Sequence, residues 1–216
     1  MNLAVPHKPR LRGVSHYYGC FLAVFAAIVL VVTAPAGRAR FGAAVFGFSV
    51  AGMLGASALL HRGSWTVEQH RRLTQLDHTM IFCTIAGTYT PILLLGEGVP
   101  WSTQLLVVLW AGATAGILFE WLPVPPPRGY VTAVFITLGW VGTITFRGIW
   151  DSLGSATFWL ILGGGLLYTG GALVHAFRRP DPWPHVFAYH EIWHLCVLVA
   201  LVLHYVAIGW FVLPQG

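Results

Sequence analysis

Charge is what this chain of 216 residues has least of: 9% of its side chains are Asp, Glu, Lys or Arg, where a soluble domain carries about 25%. With 56% hydrophobic residues, a water-soluble fold of this size cannot hide so much apolar surface, so most of it must face lipid or neighbouring helices. Cysteine is scarce as well. Cys20, Cys83 and Cys196 lie singly inside apolar runs with no CxxC spacing, which argues against a disulfide framework and against a thiolate metal site; they read as small buried hydrophobes. A basic stripe is also missing. The net charge is +5, but the 12 Lys and Arg are spread over short segments between apolar runs, so nucleic acid is not an expected partner.

What the chain has in quantity are apolar runs and aromatic rings. The 10 Trp and 7 Tyr suit a protein with many helix ends at a membrane interface, where amphipathic rings settle. A spanning helix needs about 20 mostly apolar residues. Seven segments qualify, roughly Tyr17–Thr33, Phe41–Leu60, Leu76–Leu95, Trp101–Leu122, Tyr130–Ile149, Ala156–Phe177 and Tyr189–Leu213. Breakers separate them: Pro35-Ala36-Gly37, Gly96-Glu97-Gly98, Pro123 through Pro127, and Pro180-Asp181-Pro182. The expected fold is an all-α, seven-transmembrane helix bundle forming one domain over 1–216, with a short N-terminal segment 1–16. Glycines such as Gly163-Gly164-Gly165 and Gly170-Gly171 should let helices pack closely, and Gly87 and Pro91 should bend the third helix.

Orientation follows from Lys and Arg on alternate sides. Lys8, Arg10, Arg12, Arg62, Arg71, Arg72, Arg128, Arg178 and Arg179 fall on one side; Arg38, Arg40 and Arg147 fall on the other. The positive-inside rule then puts the N-terminus in the cytoplasm and the C-terminus outside. The basic flank and the Ala-Pro-Ala stretch around the first run also fit a cleaved signal peptide; the retained helix is the expectation.

Ionisable residues in membrane helices are costly and mark function by default. His61 ends the second segment, with Ser57 one turn before it. Asp77 opens the third. His190 and His194, spaced i, i+4, point the same way from the start of the seventh. The topology carries all of them to the cytoplasmic end of the membrane. Each alone has a plain structural reading: an interfacial histidine, a first-turn carboxylate, a packing serine. Together, three imidazoles and a carboxylate suit a divalent metal, and zinc fits best: His61, His190 and His194 as ligands, a fourth position for water, and Asp77 to orient that water and take its proton. Ser57 could hydrogen-bond the water or a substrate carbonyl.

His190-Glu191-Ile192-Trp193-His194 also matches the HExxH zinc-protease signature. No peptide-binding element accompanies it, and Glu191 sits about 100° around the helix from His190, where headgroups or Arg178 and Arg179 could meet it. His204 lies roughly 15 Å deeper than His194, too far to share its metal. His16, His78, His175 and His185 read as outer partners of the ligands or as packing residues.

The ordered set Ser57-x3-His61, Asp77-His78 with Ile85-Ala86-Gly87-Thr88-Tyr89-Thr90-Pro91, and His190-x3-His194 resembles the hemolysin III branch of the progestin and adipoQ receptor family over nearly the whole chain. Ser15-His16 followed by Gly19 is similar to that family's opening motif. Arg10-Leu11-Arg12 stands where the family usually has a more acidic segment, and Glu191 is outside the shared pattern. The resemblance implies a seven-helix bundle with zinc on His61, His190 and His194, Asp77 beside the water, and Ser57 accompanying them. It also implies a bacterial plasma-membrane protein tied to membrane homeostasis. The similar alkaline ceramidases hydrolyse a lipid amide at such a site. The expected activity is therefore a zinc-dependent hydrolase of lipid amides or esters, with membrane lipids as partners. The alternatives are a non-enzymatic sensor with structural zinc and, behind it, a pore-forming hemolysin.

Overall fold

The computed structural model describes residues 8–123 and 129–216. Among them the fold is all-helical, with one isolated bridge between Trp183 and Phe187 and no strand. The helices are α1 Val14–Thr33, α2 Arg38–Arg62, α3 Val67–Leu95, α4 Ser102–Glu120, α5 Tyr130–Val141, α6 Phe146–Phe177 and α7 Tyr189–Val206. A 3-10 turn, Gly142–Thr145, joins α5 to α6, and a wider-wound stretch, Ala207–Val212, extends α7. Arg128 and the prolines 125–127 lie outside the described residues.

By length and composition six segments can cross a membrane, against the seven expected from sequence. The difference lies between Tyr130 and Phe177, which count as a single segment of 48 residues. Regular α-helix in α5 ends after 12 residues, about 18 Å of rise and too short to cross alone. Gly154 adopts φ 83°, ψ 163° inside α6, a backbone conformation essentially reserved for glycine, and the chain doubles back there. Trp140 Nε1 donates to Thr169 Oγ1 at 2.9 Å, and Phe146 meets Phe158 edge-on at 5.4 Å. A straight helix would hold Trp140 and Thr169 roughly 43 Å apart.

Helix α3 begins at Val67, well before the expected Leu76, because a capping box sets its start. Gln69 N donates to Thr66 Oγ1, and Thr66 N donates to the Gln69 side chain, satisfying two otherwise unpaired amides. Asp77 therefore lies nearly three turns inside α3 rather than opening it. The polar first turns carry Glu68, paired with Arg71 and Arg72.

Helices α2 and α3 are the centre of the bundle, with 67% and 61% of their apolar windows buried, against 17% for α1 and for α4. Small residues allow the close approach: Gly47 lies on Ala27 of α1, and Gly42 lies on Pro91 of α3. One core layer gathers Leu30, Phe46, Leu54, Ile92, Leu201 and Ile208. The other packs Phe82, Tyr89 and Leu93 of α3 against Leu105 and Leu109 of α4 and Leu138 of α5. Of the α6 glycines, Gly164 and Gly171 sit tight against His204 and Trp193, whereas Gly165 and Gly170 meet open space. Phe21, Phe25, Phe48, Trp159 and Trp210 are largely exposed, as suits side chains bathed in lipid. The three cysteines are free.

Candidate metal centre

Two separately built helix ends bring the histidines together. At the end of α2, Trp65 Nε1 donates to the carbonyls of Leu59 and Leu60 at 3.1 and 3.2 Å, closing the last turn that carries His61. At the start of α7, Tyr189 N donates to Asp181 Oδ1 at 2.9 Å, and Ala188 N donates to Glu191 Oε2 at 2.8 Å. That well-capped first turn presents His190, and the next presents His194 on the same face.

The candidate ligand nitrogens of His61, His190 and His194 all lie within 4.8 Å of one another. His61 Nε2 and His190 Nε2 are 3.1 Å apart. Two lone pairs cannot face each other at that distance unless a proton or a cation lies between them. Nitrogen ligands at 2.0–2.1 Å from a tetrahedral zinc stand roughly 3.3 Å from each other, so the spacing suits a metal. The ring centroids of His194 are 5.1 Å from His61 and 4.6 Å from His190. The Nδ1 atom of His194 is enclosed, with no hydrogen-bond partner among the described residues. An all-imidazole set of this kind fits a borderline transition-metal ion, not magnesium or calcium.

The other residues singled out from sequence fall around this cluster. Ser57 of α2 and Asp77 of α3 lie inside the fold near the histidines. Both line the same cavity as the histidines, and Asp77 stands outside the mutually close set of nitrogens. His175 contacts His190 edge-on at 5.0 Å.

Three contributions escaped the sequence. Glu120, at the end of α4 and buried, accepts from His78 Nδ1 at 2.9 Å, while Gln75 Nε2 donates to its carbonyl oxygen at 2.8 Å. An acid closing an apolar run was the available signal. His16 stacks flat on His194, with centroids 3.8 Å apart and planes 10° from parallel; it is buried, and neither ring nitrogen has a hydrogen-bond partner among the described residues.

The third is Glu191. Its Oε1 accepts from Arg12 Nε at 2.6 Å, while its Oε2 caps α7, so its partner is Arg12 rather than the headgroups or Arg178 and Arg179. Both carboxylate oxygens are spent on structure, which removes the general base that a metalloprotease would need. Arg12 belongs to a strap. Lys8 Nζ donates to Gly63 O, and the amides of Arg10 and Leu11 donate to the carbonyls of His185 and Val186. Gly13, at φ 74°, lies directly against His61, where a side chain would not fit. The strap is basic. Burial first, then the guanidinium groups of Arg62 and Arg12, hold the Lys8 ammonium below its ordinary pKa.

From the histidines a cavity of about 510 Å³ runs between α3, α5, α6 and α7, a volume typical of small-molecule sites. Its walls are mainly apolar, with Ile81, Ile85, Phe135, Ile161, Leu162 and Val197 among them.

Fold and site together define a helical integral membrane protein with a candidate metal centre where α2 ends and α7 begins. The chain belongs to the family described as haemolysin-III related, whose model matches residues 5–205. It is 31% identical over 208 residues to Hemolysin-3 of Bacillus cereus, covering 95% of this chain and 92% of that protein. To the Hemolysin-3 homolog of Bacillus subtilis it is 32% identical over 195 residues, covering 87% and 86%. It also resembles the adiponectin receptor protein of Drosophila melanogaster, at 33% identity over 183 residues, 76% of this chain and 40% of that protein.

Proposed function

We propose that this protein is a zinc-dependent hydrolase acting on an amide or ester bond of a membrane lipid. The observation that carries this reading is the opening of three convergent imidazoles onto a long apolar cavity, with a carboxylate on its wall. Zinc on His61, His190 and His194 supplies Lewis acidity towards a carbonyl and lowers the pKa of water. Asp77 accepts the proton of the attacking water, and Ser57 holds the carboxylate in place. The apolar walls seat an acyl chain and keep bulk water out. Three protein ligands, with no fourth His, Cys, Asp or Glu in the cluster among the described residues, favour an open catalytic site over a closed structural one.

In this reading the long fifth segment crosses twice, hinged at Gly154, making seven crossings in a single domain. The basic strap and the metal centre then lie on the cytoplasmic side of a bacterial plasma membrane, next to the headgroup boundary where a scissile lipid bond sits. A bundle of long apolar helices is a resident of the membrane, which disfavours a soluble pore-forming toxin.

Mass spectrometry of the purified protein is expected to find about one zinc per chain, and His190→Ala to lose it. Asp77→Asn is expected to keep the metal and lose at least about a hundredfold in turnover of a lipid amide or ester. Wild-type protein that cannot be loaded with zinc, or full turnover by Asp77→Asn, overturns the mechanism.

A further inference from the structure

The three histidines of the candidate metal centre come from two elements, the end of α2 and the start of α7, and a third segment ties those elements together. It is the stretch from Lys8 to His16, which leads into α1 and forms its first turn. Each candidate ligand has a neighbour there. Gly13, at φ 74°, lies against the Cβ and backbone of His61, where a side chain would collide. His16 stacks on His194, with ring centroids 3.8 Å apart. Arg12, next to Gly13, donates through Nε to Glu191 Oε1 at 2.6 Å, and Glu191 is the residue after His190.

The ion pair is therefore the middle link of a short chain of neighbours: His61, Gly13, Arg12, Glu191, His190. That chain closes around the gap in which His61 Nε2 and His190 Nε2 stand 3.1 Å apart. Further bonds fix the strap to both sides. Lys8 Nζ donates to Gly63 O, just past the end of α2, while the amides of Arg10 and Leu11 donate to His185 O and Val186 O, just ahead of α7. The histidines line the cavity, whereas no described residue of the strap does, so the strap backs the cluster and leaves its cavity side open. The ion pair is largely withdrawn from solvent, at 19% and 4% exposure. A charge-assisted hydrogen bond in such a place is short and strong, and removing either partner strands the other charge.

We infer that the Arg12–Glu191 ion pair is a positioning element for the metal: it sets the separation of His61 from the α7 histidines, and so controls how long the ion is held. This rests on reading the three histidines as metal ligands. Neither side chain of the pair is itself a ligand. Glu191 spends both oxygens, one on Arg12 and one on Ala188 N, and a guanidinium has no acceptor atom. A site whose supporting residues are loosened by about 1 Å ceases to work, and residues that orient ligands are typically worth about 10- to 100-fold in metal affinity. With the pair broken, the end of α2 and the start of α7 can drift apart, and the ion leaves sooner.

The test is the rate of metal release from zinc-loaded protein in detergent, with excess chelator added and freed zinc followed by a coloured indicator. Arg12→Ala is expected to release zinc about tenfold faster than the wild type, or more. Arg12→Lys keeps a cation at that position and is expected to fall between the two. Leu109→Ala is the control for general loosening. Leu109 is buried in the layer that α4 forms with α3, so the fold weakens while release stays at the wild-type rate. Glu191→Gln keeps an oxygen for Ala188 N but loses the charge opposite Arg12, and it is expected to match Arg12→Ala; it carries the test if Arg12→Ala does not fold. Wild-type release from Arg12→Ala and Glu191→Gln overturns the inference and leaves the ion pair a contributor to stability alone. Release from Leu109→Ala as fast as from Arg12→Ala overturns it as well. A wild type that takes up no zinc overturns this inference and the hydrolase mechanism together.

Discussion

The two ends of the cavity both carry polar side chains, but in different arrangements. At the mouth, three imidazoles present nitrogens to one another, His61 Nε2 and His190 Nε2 at 3.1 Å, a separation that a shared proton or a cation can fill. At the deep end both His204 and Tyr168 line the cavity, while His204 Nδ1 and Tyr168 Oη are enclosed by protein, with no hydrogen-bond partner among the described residues. The surroundings differ in the same sense. The mouth is anchored by the ion pair of Arg12 with Glu191 and by the hydrogen bond of His78 to Glu120; the deep end is enclosed by apolar side chains and committed threonines.

The anchoring of the mouth is the part most easily broken. Glu191→Ala strands Arg12 and uncaps α7 in one change. The ion pair is mostly out of solvent, at 19% and 4% exposure, so a loss of about 3 kcal/mol is expected. A thermal or denaturant unfolding series in detergent reads it directly, and an unchanged midpoint would show that the strap contributes nothing. His16→Phe is a sharper and smaller test. It keeps a ring stacked on His194 but removes both unpartnered nitrogens, so zinc stoichiometry should stay at that of the wild type, with stability changed by about 1 kcal/mol or less. Loss of metal would instead make His16 a ligand. The smallest effect belongs to the deep end. Tyr168→Phe removes an unsatisfied hydroxyl, so without ligand it should be neutral or stabilising by up to about 1 kcal/mol. Marked destabilisation would mean that the hydroxyl already has a partner.

The mouth was far more legible in the sequence than the deep end. His190 and His194 announce themselves through i, i+4 spacing, and His61 and Asp77 through their cost in an apolar setting, because helical periodicity and hydropathy are local properties. Even there the start of α3 was misread: an apolar window begins at Leu76, but Thr66-x-x-Gln69 had already begun the helix. Glu120 was readable as an acid at the end of an apolar run. Glu191 was readable as an N3 carboxylate but not as the partner of Arg12, since 179 residues separate them. The stacking of His16 on His194 and the bare atoms of His204 and Tyr168 depend on how α1, α6 and α7 pack. No single helix encodes them. The gap expected between the fifth and sixth apolar runs, residues 150–155, contains Gly154, where the backbone leaves helical geometry, although Tyr130–Phe177 counts as one segment. What the sequence concealed was that α5 tightens after Val141, so its regular helix is too short to count as a crossing.

His61 and His190 are 129 residues apart in the chain. A ribosome adding about 5–20 residues per second needs roughly 6 to 26 seconds to travel from one to the other. The second helix is therefore made well before the imidazoles that complete its cluster. Whatever ion the centre takes must therefore arrive after the last helix has been inserted, at the earliest. A chain cut short before Tyr189 would have every other helix but neither His190 nor His194, so a metal held by all three histidines would mark the finished molecules.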